Sequence, residues 1–551
     1  MPGLLDPSQE SKTTLLYDVA AAAFCGAALI LALLLGSFHQ VGGFGVETDF
    51  YQSYAVQAQN ILAGRPYTYP HHPPGYTILL GGVSLLTGDL FVAGKIISAF
   101  AIGLLGLTAY GLLKALFDPR IALASTILCL FALIPYSFLA ATDVVGALLM
   151  LLPLRILLNR ATVSLRFCLL TGICAGIAYL VRSNAVSVIL GIGFCLLFID
   201  LEHEGLVRRL VKFGFFVGGA LLTVSPWFII NWKTNGSPFA STAHLQMAAH
   251  FYYPTGDAFE TTLRQAALKF SSLSDVVLYD QTRFLRQFLT AVFYENIIHL
   301  AVQAVKFPAY LFAGPGLLLL LWDLSRKRLT FLLVCLIGYL LLGLVGFHLR
   351  LYLFLFPLLF TLVAYFFFHK SIIPALWSRA AQKNKSRYTR RERRRASRVQ
   401  PQNSDRAWER GANIRILSSA VSWLCVIVLA CFVGMSSYRA TRRTLASEPR
   451  YLLEIASFLR NRSTTGELII VRKSHLAYLA GLTRVFPLAN TSQEFLAKAR
   501  EIGARYIVYS EFEASLWPGL KSLRNASAMP GRFKLIYTHY PTRTLIYEIR
   551  P

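Results

Sequence analysis

Eleven runs of mainly apolar residues dominate this chain and limit what it can fold into. A helix needs about 20 such residues to cross a bilayer, and in hydrocarbon a helix satisfies all its backbone hydrogen bonds internally. The runs lie near residues 15–36, 89–117, 119–135, 143–159, 167–181, 184–200, 211–230, 307–324, 329–346, 351–369 and 415–436. We therefore predict a multi-pass α-helical membrane protein with about eleven spans.

The amino-acid composition also indicates a membrane protein. Of the 551 residues, 55% are hydrophobic and only 15% are charged, whereas about a quarter are charged in soluble proteins. All eight cysteines lie within apolar runs, which fits helix packing better than a disulfide framework or a metal motif. No small-residue cleavage site follows the first run, so we interpret it as a retained span.

The net charge of +26 indicates membrane topology and anionic headgroups rather than nucleic acid. Residues 370–415 hold fourteen Lys and Arg against three acidic residues, and further basic residues flank the turns near 155–166, 208–212 and 326–328. Because basic loops face the cytoplasm, the amino terminus is predicted to be cytoplasmic and the intervening loops external. The loop near 370–415 could dock a cytoplasmic partner or simply enforce topology.

This topology divides the chain into five parts. We predict a cytoplasmic amino terminus (1–14), a transmembrane catalytic domain (15–369) with external loops at 37–88 and 231–300, a basic and disordered cytoplasmic loop (370–414), a last span (415–436), and an external α/β domain (437–551). In the last part, helices near 450–461 and 474–480 alternate with short apolar strands, and "FKLIYTH" and "TLIYEI" are predicted to form an antiparallel pair.

Two carboxylates, Glu47 and Asp49, stand in the first external loop, in "GVETDFYQSY". Apolar residues at helical spacing follow them up to Leu62, and a second amphipathic run begins after Pro74 and ends at Gly88. We predict two short interfacial helices. The acidic pair could cap the first helix, since negative charge is favoured at a helix amino terminus.

Three further charged residues fall at the same external edge. Asp143 precedes the fourth span, Arg182 ends the fifth, and Arg350 begins the tenth. Ionisable residues at membrane depth are candidates for function. The arginines could instead extend towards the interface or pair with Asp143.

The order of these motifs resembles a known group. The matching elements are Glu47-Thr48-Asp49, Gly64 to Tyr67, Pro73-Pro74-Gly75-Tyr76, Thr142-Asp143, Arg182, "PWFIINWKTNGSP", "RLYLFLFP" and an α/β tail ending in "GARYIVYS". Together they resemble the GT-C superfamily of polyprenyl-phosphate-sugar glycosyltransferases, in the branch of the protein O-mannosyltransferases and the lipid A aminoarabinose transferases. Many relatives carry an Asp-Glu pair where this chain has Glu-x-Asp.

The resemblance implies an inverting transfer of a hexose or pentose from a polyprenyl-phosphate donor to an acceptor hydroxyl of a lipid, glycan or protein. In this chain Asp49 would act as general base, with Glu47 as the second choice, and Asp143 would orient the acceptor or the base. Arg182 and Arg350 would hold the donor phosphate. The implied setting is a bacterial inner membrane, with the site in the periplasm.

The histidines and tyrosines near the acidic pair add contacts to this hypothesis. Tyr67, Tyr76, His71 and His72 could touch the sugar, although the tyrosines could equally form an interfacial belt. His72 with Asp49 or Glu47 could bind a divalent metal, since imidazole and carboxylate suit zinc or manganese. A polar loop histidine without metal is the favoured interpretation.

Two other functions stay open. A non-catalytic subunit of the same superfamily could bind or assemble glycans. A transporter or flippase of lipid-linked sugars is less favoured, because it would place charged residues near span midplanes or in broken helices, and the acidic residues here cluster at one edge.

Overall fold

The computed structural model describes residues 7–69, 72–160, 162–253, 259–346, 348–369, 403–486, 492–511, 514, 521, 523–525 and 533–549. The helices up to residue 369 are α1 (Pro7–Phe38), α2 (Ala55–Leu62), α3 (Gly75–Thr87), α4 (Leu90–Leu116), α5 (Pro119–Leu133), α6 (Asp143–Leu158), α7 (Leu165–Val181), α8 (Val186–Phe198), α9 (Leu206–Asn235), α10 (Ala243–Tyr252), α11 (Phe259–Lys269), α12 (Leu273–Tyr279), α13 (Gln281–Thr290), α14 (Asn296–His299), α15 (Tyr310–Trp322), α16 (Arg326–Gly343) and α17 (Phe356–Phe368). They are followed by α18 (Asn403–Ala446), α19 (Tyr451–Arg460), α20 (Ser474–Ala480) and α21 (Ser492–Glu501). Each apolar run coincides with a helix, which confirms the predicted fold class.

Seven helices in the described ranges are long and apolar enough, by length and composition, to cross a bilayer. They are Thr13–Phe38, Leu90–Leu116, Pro119–Tyr136, Leu206–Asn235, Gln281–Val305, Leu349–Phe368 and Ser418–Arg460. Four further apolar helices have 10–17 residues. Because Gln281–Val305 lies largely in the predicted loop 231–300, the count of eleven spans stays a prediction.

The helices pack against neighbours in sequence and against helices further along the chain. α4 lies against α1, α5 and α6, and α7 runs along α9. α8 contacts α9 and α16, and α17 packs against both α15 and α5. Short connections make consecutive helices antiparallel neighbours, so the loops collect at two ends of one bundle.

The basic loops meet at one of these ends. Lys327 Nζ donates to the Arg160 carbonyl at 2.6 Å, and the Arg326 guanidinium lies 3.7 Å from an Asp200 carboxylate oxygen. Arg328 Nε donates to the Leu116 carbonyl, at the carboxyl end of α4. The loops that the charge pattern assigns to the cytoplasm therefore share one end of the bundle.

The first long loop lies at the opposite end and contains the two helices predicted there. A single π-helical turn, Phe50–Tyr54, leads into α2. α3 starts directly after Pro74 and stops at Gly88, whose φ of 71° is left-handed, a conformation that glycine adopts at little cost. The predicted helices and the predicted stop at Gly88 are confirmed.

After the bundle, α18 extends from Asn403 to Ala446, so the predicted boundary at residue 415 lies inside this helix. Residues 370–402 of the predicted basic loop lie outside the described residues. The chain then enters the carboxyl-terminal domain, which begins with α19.

The described residues of the carboxyl-terminal domain form a five-stranded sheet. Its strands are β1 (Leu468–Ile470), β2 (Thr483–Val485), β3 (Tyr506–Tyr509), β4 (Phe533–His539) and β5 (Thr544–Ile549), in the order β2-β1-β3-β5-β4. β1 pairs in parallel with β2 and β3, and β5 runs antiparallel to β3 and β4. The predicted strand pair at the end of the chain is confirmed.

Each face of this sheet buries an apolar cluster. One cluster contains side chains of α19 and α20, and the other contains side chains of α21. α20 also packs against the π-helical turn Phe50–Tyr54. The carboxyl-terminal domain therefore lies directly beside the loop that carries the acidic pair.

Candidate active site

Asp49 and Arg350 form an ion pair in a partly open position. The backbone of Asp49 precedes the turn Phe50–Tyr54, but its side chain accepts no capping hydrogen bond. Instead Arg350 Nη2 donates to Asp49 Oδ2 at 3.2 Å, and Arg350 Nη1 donates to the Val46 carbonyl at 3.1 Å. The side chains are 37% and 30% exposed. A solvent-accessible carboxylate therefore stands beside a solvent-accessible guanidinium.

Asp143 and Arg182 form a second, more deeply buried pair. Arg182 Nη1 donates to the Asp143 carboxylate and, at 3.1 Å, to Thr142 Oγ1. The Asp143 side chain is 2% exposed and that of Arg182 is 11% exposed. A Cβ atom on Gly146 would lie 2.9 Å from Arg182 Cδ, so glycine at this position leaves the room that Arg182 fills. The alternative in which Arg182 pairs with Asp143 is the arrangement observed.

The two pairs belong to one charged cluster. The carboxylates of Asp49 and Asp143 both stabilise the charge of Arg350. Tyr54 is buried beside this cluster, and burial together with Asp49 raises the pKa of its phenol. Four segments far apart in sequence thus bring two acids and two arginines to one end of the bundle.

Glu47 occupies a closed position, although it is only two residues from Asp49. It is 1% exposed. Its oxygens accept hydrogen bonds from the backbone of Gly43 at 2.9 Å and of Ala140 at 2.8 Å, and from His39 Nε2 at 2.9 and 3.0 Å. Three N–H donors contact this carboxylate, with His39 Nε2 shared between both oxygens, so it faces protein rather than a space for substrate.

His39 and Glu448 complete this closed position, although neither residue was predicted from the sequence. His39 Nδ1 lies 2.6 Å from Glu448 Oε1, at the start of the carboxyl-terminal part of the chain. The available signal was a histidine directly after an apolar helix. Its partner was not predictable, since 409 residues separate the two.

Aromatic rings surround His72. The imidazole stacks on Tyr54 with ring centroids 4.9 Å apart and on Tyr69 at 5.4 Å. Tyr67 donates its hydroxyl to the His72 carbonyl at 2.6 Å. These contacts order the loop between α2 and α3 beside the charged cluster. His71 lies outside the described residues.

Tyr76 lies in the core and packs against this group of aromatic rings. It is fully buried, and its ring meets Tyr54 edge-on at 4.9 Å. The preceding Gly75 lies so close to α7 that a Cβ atom would be 2.6 Å from the Leu180 carbonyl oxygen. The "PPGY" motif therefore holds the start of α3 against the end of α7, where Arg182 follows.

The predicted metal candidates are not brought together. Among the described residues no three His, Cys, Asp or Glu side chains form a group suited to a metal ion. His72 is stacked between tyrosines, Glu47 is bound by His39, and Asp49 faces Arg350. These three residues do not fit a shared metal site in this arrangement.

One family model matches part of the sequence. Residues 71–230 match the dolichyl-phosphate-mannose-protein mannosyltransferase family, and this segment contains Asp143 and Arg182. No protein of curated function matches significantly.

Solved structures share the fold over most of the chain. ArnT from Cupriavidus metallidurans in the apo state has a TM-score of 0.59 at 14% identity, with 96% of this chain and 97% of ArnT covered. Its complex with undecaprenyl phosphate has a TM-score of 0.54 at the same identity and coverage. The archaeal oligosaccharyltransferase AglB from Archaeoglobus fulgidus, bound to an inhibitory peptide and a dolichol-phosphate, has a TM-score of 0.54 at 13% identity, with 96% of this chain and 74% of AglB covered.

Identities this low compare folds only, and the family model adds sequence similarity over residues 71–230. The predicted resemblance is confirmed: this integral membrane protein has the GT-C fold and is similar to the mannosyltransferase and ArnT branch of that superfamily.

Proposed function

We propose that this protein transfers a sugar from a polyprenyl-phosphate donor to an acceptor hydroxyl, with inversion, in the cleft where Asp49 meets Arg350. The observation that carries the proposal is this partly exposed pair, 3.2 Å apart, beside the buried Asp143–Arg182 pair. The similar ArnT has been solved with undecaprenyl phosphate and AglB with a dolichol-phosphate, which supports a lipid-phosphate donor.

Asp49 is the proposed general base. It is more exposed than Glu47 and makes no capping bond, so its oxygens can approach an acceptor hydroxyl. The acceptor oxygen attacks the anomeric carbon, its proton passes to Asp49, and the bond from that carbon to the phosphate oxygen breaks. A positioned base of this kind contributes about 10²- to 10⁴-fold to the rate.

Arg350 is the proposed partner of the leaving phosphate. A guanidinium has five N–H donors, and two of them are used by Asp49 and Val46. When a donor phosphate binds to Arg350, the hydrogen bond from Arg350 to Asp49 weakens. Donor binding therefore frees the Asp49 carboxylate to act as the base. Arg182, already bound to Asp143, adds positive charge behind this contact.

Other residues are proposed to shape the cleft. Asp143 holds Arg182 and helps to orient the acceptor or the base. His72 and Tyr67 line the sugar side, Tyr76 supports them from within the core, and Glu47 positions the loop. A divalent cation, if the reaction uses one, would need ligands beyond Glu47, which is saturated by its own hydrogen bonds.

The charge pattern supports an external location. The basic loops share the end opposite Asp49, and such loops face the cytoplasm. We propose a bacterial inner membrane, with the cleft and residues 437–551 in the periplasm. This places the reaction where a flipped lipid-linked donor would be available.

The test is turnover by the purified full-length protein in lipid nanodiscs. Polyprenyl-phosphate hexoses and pentoses are supplied with a cell-envelope lipid and glycan extract, and release of free polyprenyl phosphate is measured. We expect at least one donor to be consumed, and Asp49→Asn to lose the activity. Glu454→Gln, at a 68% exposed carboxylate, is the matched control. Donor binding without turnover would reject the enzyme and favour a glycan-binding subunit.

A further inference from the structure

We propose that His39 is a positioning residue that locks the carboxyl-terminal domain onto the loop carrying Asp49. It does so by bridging two buried carboxylates, Glu47 and Glu448. The effect on catalysis rests on the proposed function above, whereas the lock itself can be tested without substrate.

The geometry of the bridge is closed on all sides. His39 Nε2 is 2.9 Å from Glu47 Oε2, and Nδ1 is 2.6 Å from Glu448 Oε1. All three side chains are at most 2% exposed. The rings of Phe91 and Phe138 lie 5.3 and 5.6 Å from the imidazole. Water therefore does not compete for these contacts.

The bridge requires a charged imidazole. A neutral imidazole donates from one nitrogen only, whereas both nitrogens here face carboxylate oxygens, and the imidazolium donates from both. Burial lowers the pKa of His39, but Glu47 and Glu448 raise it further, so the net shift is upward. The cation also offsets two negative charges that would be costly to bury unpaired.

Two other cations face the bridge. Lys95 Nζ donates to the His39 carbonyl at 2.7 Å, and Arg450 Nε lies 2.9 Å from Glu448 Oε2. In model peptides an imidazole has a pKa of about 6.5, whereas lysine and arginine side chains titrate above about 10. His39 is therefore the member of the bridge that titrates when the pH rises from neutral.

The bridge joins three parts of the candidate site. Glu47 lies two residues before Asp49, and it also accepts from the Ala140 backbone, just before Asp143. Glu448 lies between α18 and α19, at the base of the carboxyl-terminal domain. One imidazolium thus fixes both acidic segments of the site to that domain.

A second histidine reinforces the contact without charge. His475 Nε2 lies 3.2 Å from the Gly43 carbonyl, and its ring packs 4.3 Å from that of Tyr51. Burial lowers the pKa of His475 to about 4, so it is neutral at pH 7. The pH dependence of the contact is therefore assigned to His39 rather than to His475.

The sign of the pH effect follows from the raised pKa of His39. Its stabilisation is fully present below the unfolded pKa of about 6.5 and is lost as the pH rises through the higher folded value. The lock should therefore weaken on the alkaline side and should hold at pH 6.

The test is amide hydrogen exchange of residues 42–53 in the full-length protein in nanodiscs, without substrate. We expect these amides to be protected from exchange at pH 6. Their protection factors, corrected for intrinsic exchange, should fall by at least about tenfold at alkaline pH. In His39→Gln protection should already be low at pH 6, with no alkaline step. His244→Gln, which alters a histidine that contacts the Ser241 carbonyl three residues away, should behave like the unchanged protein.

Glu448→Gln covers the case in which His39→Gln fails to fold, because it keeps the size of the side chain and removes one charge. It should also lower protection at pH 6. Protection that shows no alkaline step in the unchanged protein, or that survives in Glu448→Gln, would overturn the lock.

Kinetics separate the lock from the proposed function. If the protein turns over a donor, His39→Gln should lower kcat by about 10- to 100-fold, as misplaced groups do, and leave the donor KM within about twofold. An unchanged kcat would overturn the positioning role. If no donor is consumed, the proposed function fails, while hydrogen exchange still decides whether the lock exists.

Discussion

Two carboxylates on one loop, two residues apart, have opposite environments. Glu47 is enclosed by His39 and two backbone amides, whereas Asp49 is partly exposed and contacts Arg350. A side chain that is saturated and buried can hold a loop but cannot exchange a proton with a substrate. From this difference in burial we expect Glu47 to hold the loop in place and Asp49 to exchange a proton with the substrate.

The largest expected effect distinguishes a catalytic role of the carboxylate from a structural one. Asp49→Asn should lower kcat by about 10³-fold, since a general base contributes 10²–10⁴. It should change the free energy of unfolding by less than about 1 kcal/mol, as for exposed ion pairs. Steady-state kinetics and thermal unfolding of the same preparation measure both, and a large loss of stability would argue for a structural Asp49.

Glu47→Gln is expected to show the reverse pattern. Removing one partner of a buried ion pair costs about 3–5 kcal/mol, because the charge on His39 loses one of its two buried counter-charges. The melting temperature should fall clearly below that of the unchanged protein and of Glu454→Gln. A variant as stable as its parent would contradict the closed environment described for Glu47.

Gly146→Ala tests the buried pair behind the cleft. The added Cβ would lie 2.9 Å from Arg182 Cδ, so Arg182 must move and its contact with Asp143 must weaken. Overpacking of this kind costs about 1–3 kcal/mol. The matched control is Gly214→Ala in α9, where an added Cβ meets no atom within 4 Å. Equal melting temperatures for the two variants would show that Arg182 adapts freely.

Arg350→Lys should have the smallest effect of the four. Lysine keeps the charge but loses the planar fork that matches a phosphate, so the donor KM should rise about tenfold, worth about 1.4 kcal/mol. Arg326→Lys, at the opposite end of the bundle, should leave the KM unchanged. An unaffected KM in Arg350→Lys would remove Arg350 from the donor site.

Much of the architecture was predictable from the sequence because local patterns dictate it. Apolar runs in a bilayer must be helical, and all eleven are. The turn signals Pro74 and Gly88 bound α3 as expected. In the carboxyl-terminal domain, apolar alternation and chain order sufficed to predict the final strand pair.

The clustering of four charged residues at one end of the bundle was predictable from the sequence, but their pairings were not. Topology alone brings Asp49, Asp143, Arg182 and Arg350 to one end of the bundle. Which acid meets which arginine depends on side-chain packing, and the choice between Glu47 and Asp49 depends on His39 and Glu448. A contact across 409 residues leaves no local pattern in either segment.

That long separation has a consequence for biosynthesis. His39 emerges from the ribosome early, whereas Glu448 is made only after α18, so a nascent chain holds the Asp49 loop without its anchor. The Asp49 loop is therefore anchored only during the last quarter of translation, and a prematurely terminated product would insert in the membrane with this loop unanchored.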